Sequence, residues 1–295
     1  MFPVMTLPYG LLCRLGTLSS PVEKYHLQIA GGNFNICPPT FQTYKEELNC
    51  NLAVINGKLT LAKYSKAERK HVPVVLEDNA LICYTFSLLL RISGLKHLSS
   101  DVFQHLLIKA HRMELYNCDM SHEFLQALSK LCLMPIKDIE IHDPYGGDFC
   151  VKSVVQAFPQ VDKLKFYGVQ LPDHWLTAMT EAQQSKLSFV YVHADPENVG
   201  KFEADELLAF LQKQNEMFTL AFHMGGLRDT DGYAKTLEKI LKTYLKEEDL
   251  QQQRPEPQVR VCGYDIWRCF YLPKVEGSAA VAKKGKNKRA ELPIL

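Results

Sequence analysis

Long apolar runs are missing from this chain of 295 residues. The longest, Ala80 to Leu90, is interrupted by Thr85 and Ser87 and closed by Arg91, well short of the roughly 18 residues that a membrane-spanning helix needs. An excess of one charge is missing too. Lys and Arg number 34 against 33 Asp and Glu, a net of +1, so no overall field draws in nucleic acid or an anionic membrane surface. Glycine and proline, at 16 and 15 residues, are too few for a fibrous or low-complexity chain. A secretory leader is not expected, because no basic residue precedes the N-terminal apolar run, Arg14 falls inside it, and Pro3 and Pro8 break it.

The cysteines lack any pattern. All nine, at positions 13, 37, 50, 83, 118, 132, 150, 262 and 269, are spaced unlike zinc ligands, and their number is odd. No Asn-x-Ser/Thr acceptor is present. Buried reduced thiols and a cytoplasmic or nuclear location are therefore expected. Enzyme motifs are missing as well. There is no Gly-rich turn leading into Lys-Ser/Thr, no Gly-x-Ser-x-Gly elbow, no His-Glu-x-x-His and no Gly-x-Gly-x-x-Gly. A Cys–His pair built on Cys118 or Cys150 has nothing to fix its spacing. We expect a non-catalytic binding protein without cofactor or metal.

What is present is periodicity. Leu11, Leu12, Leu15 and Leu18 recur at helical spacing after Pro8. A second helix should start at Pro21, with Ser20 as N-cap and Val22, Tyr25 and Ile29 as its apolar side. Gly31, Gly32, Pro38 and Pro39 then stop regular structure. Leu52 to Ile55 and Lys58 to Leu61 flank Asn56-Gly57, the strongest short hairpin signal. Lys63 to His71 reads as a solvated connector.

From residue 85 the chain repeats. Six apolar pairs alternate with other residues: Leu88 and Leu90, Met113 and Leu115, Ile139 and Ile141, Leu164 and Phe166, Val190 and Val192, Leu220 and Phe222. Their second members lie 25, 26, 25, 26 and 30 residues apart. Helical patterns intervene, such as Phe124, Leu125, Leu128 and Leu131, then Val154, Val155 and Phe158, then Leu207, Leu208 and Leu211. A strand and a helix at this period match the leucine-rich repeat, although the asparagine of that consensus is matched only by Asn117. The expected fold class is α/β, an irregular leucine-rich-repeat-like parallel-strand solenoid; the alternative is an ordinary α/β sheet with chance spacings. After a helix through Leu237, Ile240, Leu241, Tyr244 and Leu245, the residues Val259, Val261, Ile266, Phe270 and Leu272 suggest a closing strand pair. Expected domains are 1–45 helical, 46–84 hairpin and connector, 85–274 repeats, and 275–295 a disordered basic tail.

Alternation sends the residues flanking each buried pair to the opposite, concave side of the sheet. One column is Leu89, Glu114, Glu140, Lys165, Tyr191 and Ala221, and the other is Arg91, Tyr116, His142, Tyr167, His193 and His223. Such a surface suits a protein ligand, with Tyr116, Glu140, His142, Tyr167, Tyr191 and His193 as its chief residues. His193 and His223, with Asp195 nearby, also raise a metal site, but no third ligand converges and stacked histidines are the expected reading.

Phe2-Pro3-Val4-Met5-Thr6-Leu7-Pro8-Tyr9-Gly10-Leu11-Leu12-Cys13-Arg14-Leu15, followed by Leu18-Ser19-Ser20-Pro21-Val22, resembles the start of an F-box, most of all that of the nematode F-box families with a leucine-rich-like C-terminal region. The likeness covers about the first 30 residues. It implies that Leu7, Pro8, Leu11, Leu12, Leu15 and Pro21 dock on a Skp1-like adaptor of a cullin ubiquitin ligase while the C-terminal part selects a protein substrate. Neither nucleic acid nor membrane is an expected partner. A repeat-built interaction scaffold with no ubiquitin connection is the alternative.

Overall fold

The computed structural model describes residues 7–31, 43–65, 69–75, 80–91, 94–145, 149–224, 230–248, 256–262 and 267–273. Glu276 onward, together with Gly32, Pro38, Pro39 and Ile266, lies outside the described residues. Backbone contacts divide the chain into two compact units, Met1–Asp119 with Glu123–Ile136, and Met120–His122 with Lys137–Leu295. Both are mixed α/β with mostly parallel strands.

The first unit opens with α1 (Tyr9–Leu18) and α2 (Pro21–Gly31). The Pro8 carbonyl accepts from the Leu11 and Leu12 amides at 2.9 and 3.1 Å, which closes the first turn of α1. Helix α2 begins where the sequence predicts. The Ser20 hydroxyl accepts from the Glu23 amide at 3.3 Å, and the Glu23 carboxylate accepts from the Ser20 amide at 2.8 Å and hydroxyl at 2.9 Å. This reciprocal box, with Pro21 at the first helical position, satisfies donors that a helix start leaves open. The expected apolar side of α2 is covered only in part: Val22 and Tyr25 are half-buried, and Ile29 is 61% exposed.

Strands β1 (Thr43–Ile55) and β2 (Lys58–Ser65) pair antiparallel across Asn56 and Gly57, whose φ of 51° and 77° are those of a type I′ turn. β3 (Lys70–Pro73) continues the ladder on β2, which corrects the connector expected over Lys63 to His71. Lys63–Ser65 and Lys70–His71 are strand, with Lys63, Lys70 and His71 exposed, and the charges of β3 stand at the edge of the ladder, where they discourage further pairing; residues 66–68 lie outside the described residues. β4 (Ala80–Arg91) then lies parallel to β1, with Leu52 beside Leu90. After 3₁₀ turns at Leu95–Ser99 and Asp101–His105 come β5 (Leu106–Ile108) and β6 (Arg112–Tyr116), both parallel to β4. Helix α3 (His122–Lys130) buries Phe124, Leu125 and Leu128 completely.

The second unit alternates β7 (Asp138–His142), α4 (Val151–Ala157), β8 (Lys163–Tyr167), α5 (Trp175–Ala182), β9 (Phe189–His193), α6 (Ala204–Lys213) and β10 (Thr219–His223). It ends with α7 (Thr230–Tyr244), β11 (Lys246–Glu248), β12 (Gln258–Cys262) and β13 (Trp267–Tyr271). Its strands run β7-β8-β9-β10-β12-β13-β11. Strands β7 to β10 and β12 are parallel, and the last two additions are antiparallel. The buried pairs meet in register: Ile139 and Ile141 lie beside Leu164 and Phe166, these beside Val190 and Val192, these beside Leu220 and Phe222, and these beside Val259 and Val261. All ten are at most 1% exposed. The returns are short helices, because only about a dozen or more residues are needed to cross back to a parallel neighbour.

Two loop positions are fixed by backbone shape. Gly200, at φ 70°, sits where a Cβ would come within 2.8 Å of the Leu171 carbonyl and closer still to that of Pro172. Gly168, at φ 60°, sits against the Asp143 side chain. Gly200→Ala should lower stability by at least about 1 kcal/mol, since a side chain is strained in that conformation before any contact is counted. Phe166→Ala should cost about 3 to 5 kcal/mol, because Phe166 is wholly buried against Phe149 at 5.7 Å between ring centres. Urea unfolding of both variants beside the parent measures the two losses.

Candidate functional site

Pleating leaves the alternate residues of β7 to β12 on the side away from the buried pairs. Register lines them into two rows across the strands of the second unit. The first runs Glu140, Lys165, Tyr191, Ala221 and Arg260, and the second runs His142, Tyr167, His193, His223 and Cys262. The last member of each row, Arg260 or Cys262, was not among the sequence-derived candidates. Its signal was present, since Val259 and Val261 repeat the spacing of Leu220 and Phe222.

At the β7 end of the face opposite charges meet. Lys165 Nζ donates to Glu140 Oε1 at 2.6 Å and to Asp138 Oδ2 at 3.4 Å, and His142 Nε2 lies 3.7 Å from Glu140 Oε2. Glu140 is buried, so the expectation of an outward-reaching charge is corrected: its carboxylate holds a neighbouring ammonium instead. The His142 ring stacks on Tyr167 at 4.3 Å between centres, with planes 1° apart.

Farther along, the rings form a continuous network. Tyr167 meets Tyr191 at 5.4 Å and the edge of His193 at 5.9 Å, and His193 stacks on His223 at 4.8 Å. Tyr191 lies opposite Ala221, whose methyl leaves room, and its Oη reaches His223 Nδ1 at 2.7 Å. Burial, with added effects of Tyr167 and Cys262, pushes the Tyr191 phenol up to about 12, so it stays protonated at neutral pH. Burial and then the neighbouring His193 hold His223 below its ordinary value. Burial also raises the Cys262 thiol. Among the described residues no group of three His, Cys, Asp or Glu side chains is placed to hold a metal.

In the first unit, Tyr116 is half-buried with the Arg91 guanidinium 4.9 Å from its ring centre and its hydroxyl 3.5 Å from Glu114 Oε2. The Cys118 thiol is buried and donates to the carbonyls of Tyr116 at 3.4 Å and Leu90 at 3.7 Å. Cys150 is the exposed residue that precedes α4.

The N-terminal candidates divide by exposure. No residue of α1 is buried; Tyr9 is 68%, Leu11 51% and Leu18 76% exposed, while Leu12 and Leu15 are half-buried. Leu7 is half-buried, Pro8 is exposed and Pro21 is buried. Among the described residues no helix is long and apolar enough to cross a membrane. The chain matches no known family, no curated protein and no solved structure.

The His223 shift sets a sign for acid. A folded value below the ordinary 6.5 means that the unfolded chain binds more protons between the two. The contribution of His223 to stability is then fully present above about pH 6.5 and declines as pH falls through that window. Melting curves recorded on either side of the window should show a lower midpoint in acid, and His223→Gln should lessen that fall.

Proposed function

We propose that the chain is the substrate-recognition subunit of a Skp1–cullin–F-box ubiquitin ligase, a non-catalytic adaptor. In this reading α1 and the start of α2 contact the Skp1-like subunit, and a leucine-rich-like solenoid presents the Tyr and His rows to a protein target. The observation that carries it is the exposure of Tyr9, Leu11 and Leu18 on a helix that buries none of its own residues. Leu11 and Leu18, seven residues apart, lie on one side of this helix, where exposed leucines suit a partner surface. These residues fall within the segment that resembles an F-box. The in-register strands and helical returns of β7 to β12 support the solenoid half of the reading.

A second reading, an interaction scaffold without ubiquitin chemistry, draws on the ring network alone, since that face needs no contribution from α1. Exposed positions separate the two. Leu11→Asp with Leu18→Asp should abolish retention of purified Skp1 by the full-length chain while moving its stability by no more than about 0.5 kcal/mol per site, as surface changes do. If the unmutated chain does not retain Skp1 at micromolar concentration, the scaffold reading replaces the ligase reading.

A further inference from the structure

The open side of the second unit is charged unevenly. At its β7 end two carboxylates, Asp138 and Glu140, are met by Lys165 and His142. From β9 onward the balance changes. None of the residues of β9, β10, β12 or β13 is acidic. Register sets Arg260 beside Ala221 and Cys262 beside His223, and one strand farther His193 stacks on His223. Arg260 Nε is buried without a hydrogen-bond partner, and no carboxylate among the described residues pairs with this guanidinium. A guanidinium stays charged at any ordinary pH and supplies donors in a fixed fork.

The groups around the cluster are few. From β8 come Lys165 and Tyr167, from β9 Tyr191, from β10 Thr219, from β12 Gln258 and Cys262, and from β13 Cys269. Thr219 accepts from Gln258 Nε2 at 2.8 Å, and Cys269 donates to Gln258 Oε1 at 3.3 Å, so these three satisfy one another. Among the described carboxylates, Glu256 stands two residues before Gln258 at the entry to β12, Glu248 is aligned with Cys269, and the exposed Asp195 follows the end of β9.

We propose that this end of the face, built on Tyr191, His193, His223 and Arg260, binds an acidic segment of a partner protein, whose carboxylates pair with Arg260 and with the stacked imidazoles while its chain lies along Tyr167 and Tyr191. The proposal rests on the reading of the open face as the recognition surface, and is independent of Skp1. A metal is disfavoured because no third ligand among the described residues converges. Nucleic acid is disfavoured because phosphate binding draws on several cations, whereas Asp138 and Glu140 occupy the same face.

The chemistry fixes a pH sign. Burial, and then the His193 ring stacked 4.8 Å away, make His223 resist protonation. A bound carboxylate supplies the opposing charge and favours the imidazolium. Binding therefore takes up protons and tightens as the pH falls toward 6, until the ligand carboxylates themselves protonate near about 4.

Fluorescence anisotropy of the full-length chain with labelled peptides tests this, the probes being alternating Glu-Gly, Gln-Gly and Lys-Gly peptides of about twelve residues and an oligothymidylate of matching length. The Glu peptide should bind, and about tenfold tighter near pH 6 than near pH 8. Arg260→Gln should weaken it about tenfold at both pH values, Arg260→Lys should restore part of the loss, and His193→Gln with His223→Gln should remove the pH dependence. Melting midpoints of each variant confirm that the fold persists. Equal binding of the Glu and Gln peptides, tighter binding of the oligothymidylate, or indifference to Arg260→Gln in a folded variant overturns the proposal. Selection of a random peptide library on the chain separates this failure from that of the face itself. Non-acidic ligands lost on Tyr167→Ala leave the face standing and remove the acidic partner, whereas ligands indifferent to both Tyr167→Ala and Arg260→Gln remove both.

Discussion

Everything on the second unit's open face is placed by one constraint, the in-register stacking of two buried side chains per strand. A five-residue strand offers the core only its second and fourth positions, and a parallel ladder sets each pair directly beside the next. A slip of one residue would expose Leu164 and Phe166 and bury Lys165 and Tyr167, at a cost far above any gain on the surface. The register is therefore strongly determined. Once it is, residues 142, 167, 193, 223 and 262 must share a row, whatever their chemistry. Core and face are set by the same alignment yet differ in composition, which is what lets recognition vary without disturbing stability.

The junctions between successive strands complete that stacking. The Asp162 and Lys163 amides donate to the Lys137 carbonyl, the Ser188 and Phe189 amides to that of Asp162, and the Gln258 amide to that of Phe218. Gln183 and Gln214, 31 positions apart, exchange amide hydrogen bonds at 3.2 and 3.3 Å, and Gln214 Oε1 also accepts from the Leu187 amide at 3.0 Å. Buried amides so matched remove the penalty of leaving turn backbone unsatisfied. At the strand exits Asn117, Asp143 and Gly168 share a left-handed backbone, with φ of 48°, 44° and 60°. Three residue types adopt one conformation there, because each tolerates it.

That tolerance explains what was legible in the sequence. Alternation found every strand of the second unit from β7 to β10, and Asn56-Gly57 found the hairpin, since both are local signals. β5 escaped because all three of its residues are buried, which leaves no alternation to read. β3 escaped because its charges look like those of a connector, and the pairing of β1 with β4 joins distant segments, which no local pattern records. In the site, the rows were readable while the partnerships within them were not. That Lys165 is held by Glu140 and Asp138, and that Tyr191 crosses Ala221 to reach His223, depends on side-chain reach between strands. Leu12 and Leu15 were natural anchors by helical spacing, yet Leu11 and Leu18 are the more exposed, because spacing defines a stripe without saying which edge of it faces water.

The open positions of the two units differ in how far their chemistry is already used. In the first, Arg112 Nε lies 3.2 Å from Glu114 Oε1, the Ser87 hydroxyl 3.4 Å from the same oxygen, and Arg91 lies over Tyr116. Charges engaged in this way on a partly solvated surface contribute only about 0 to 1 kcal/mol each to stability. A ligand would have to break them before gaining its own contacts, so they oppose new partners more than they hold the fold. In the second unit the imidazoles and phenols meet through faces and edges. Tyr191 Oη is already held by His223 Nδ1, and rings fixed in this way lose little conformational entropy when a ligand settles on them. A surface preorganised by its own ring stacking is the better of the two for recognition.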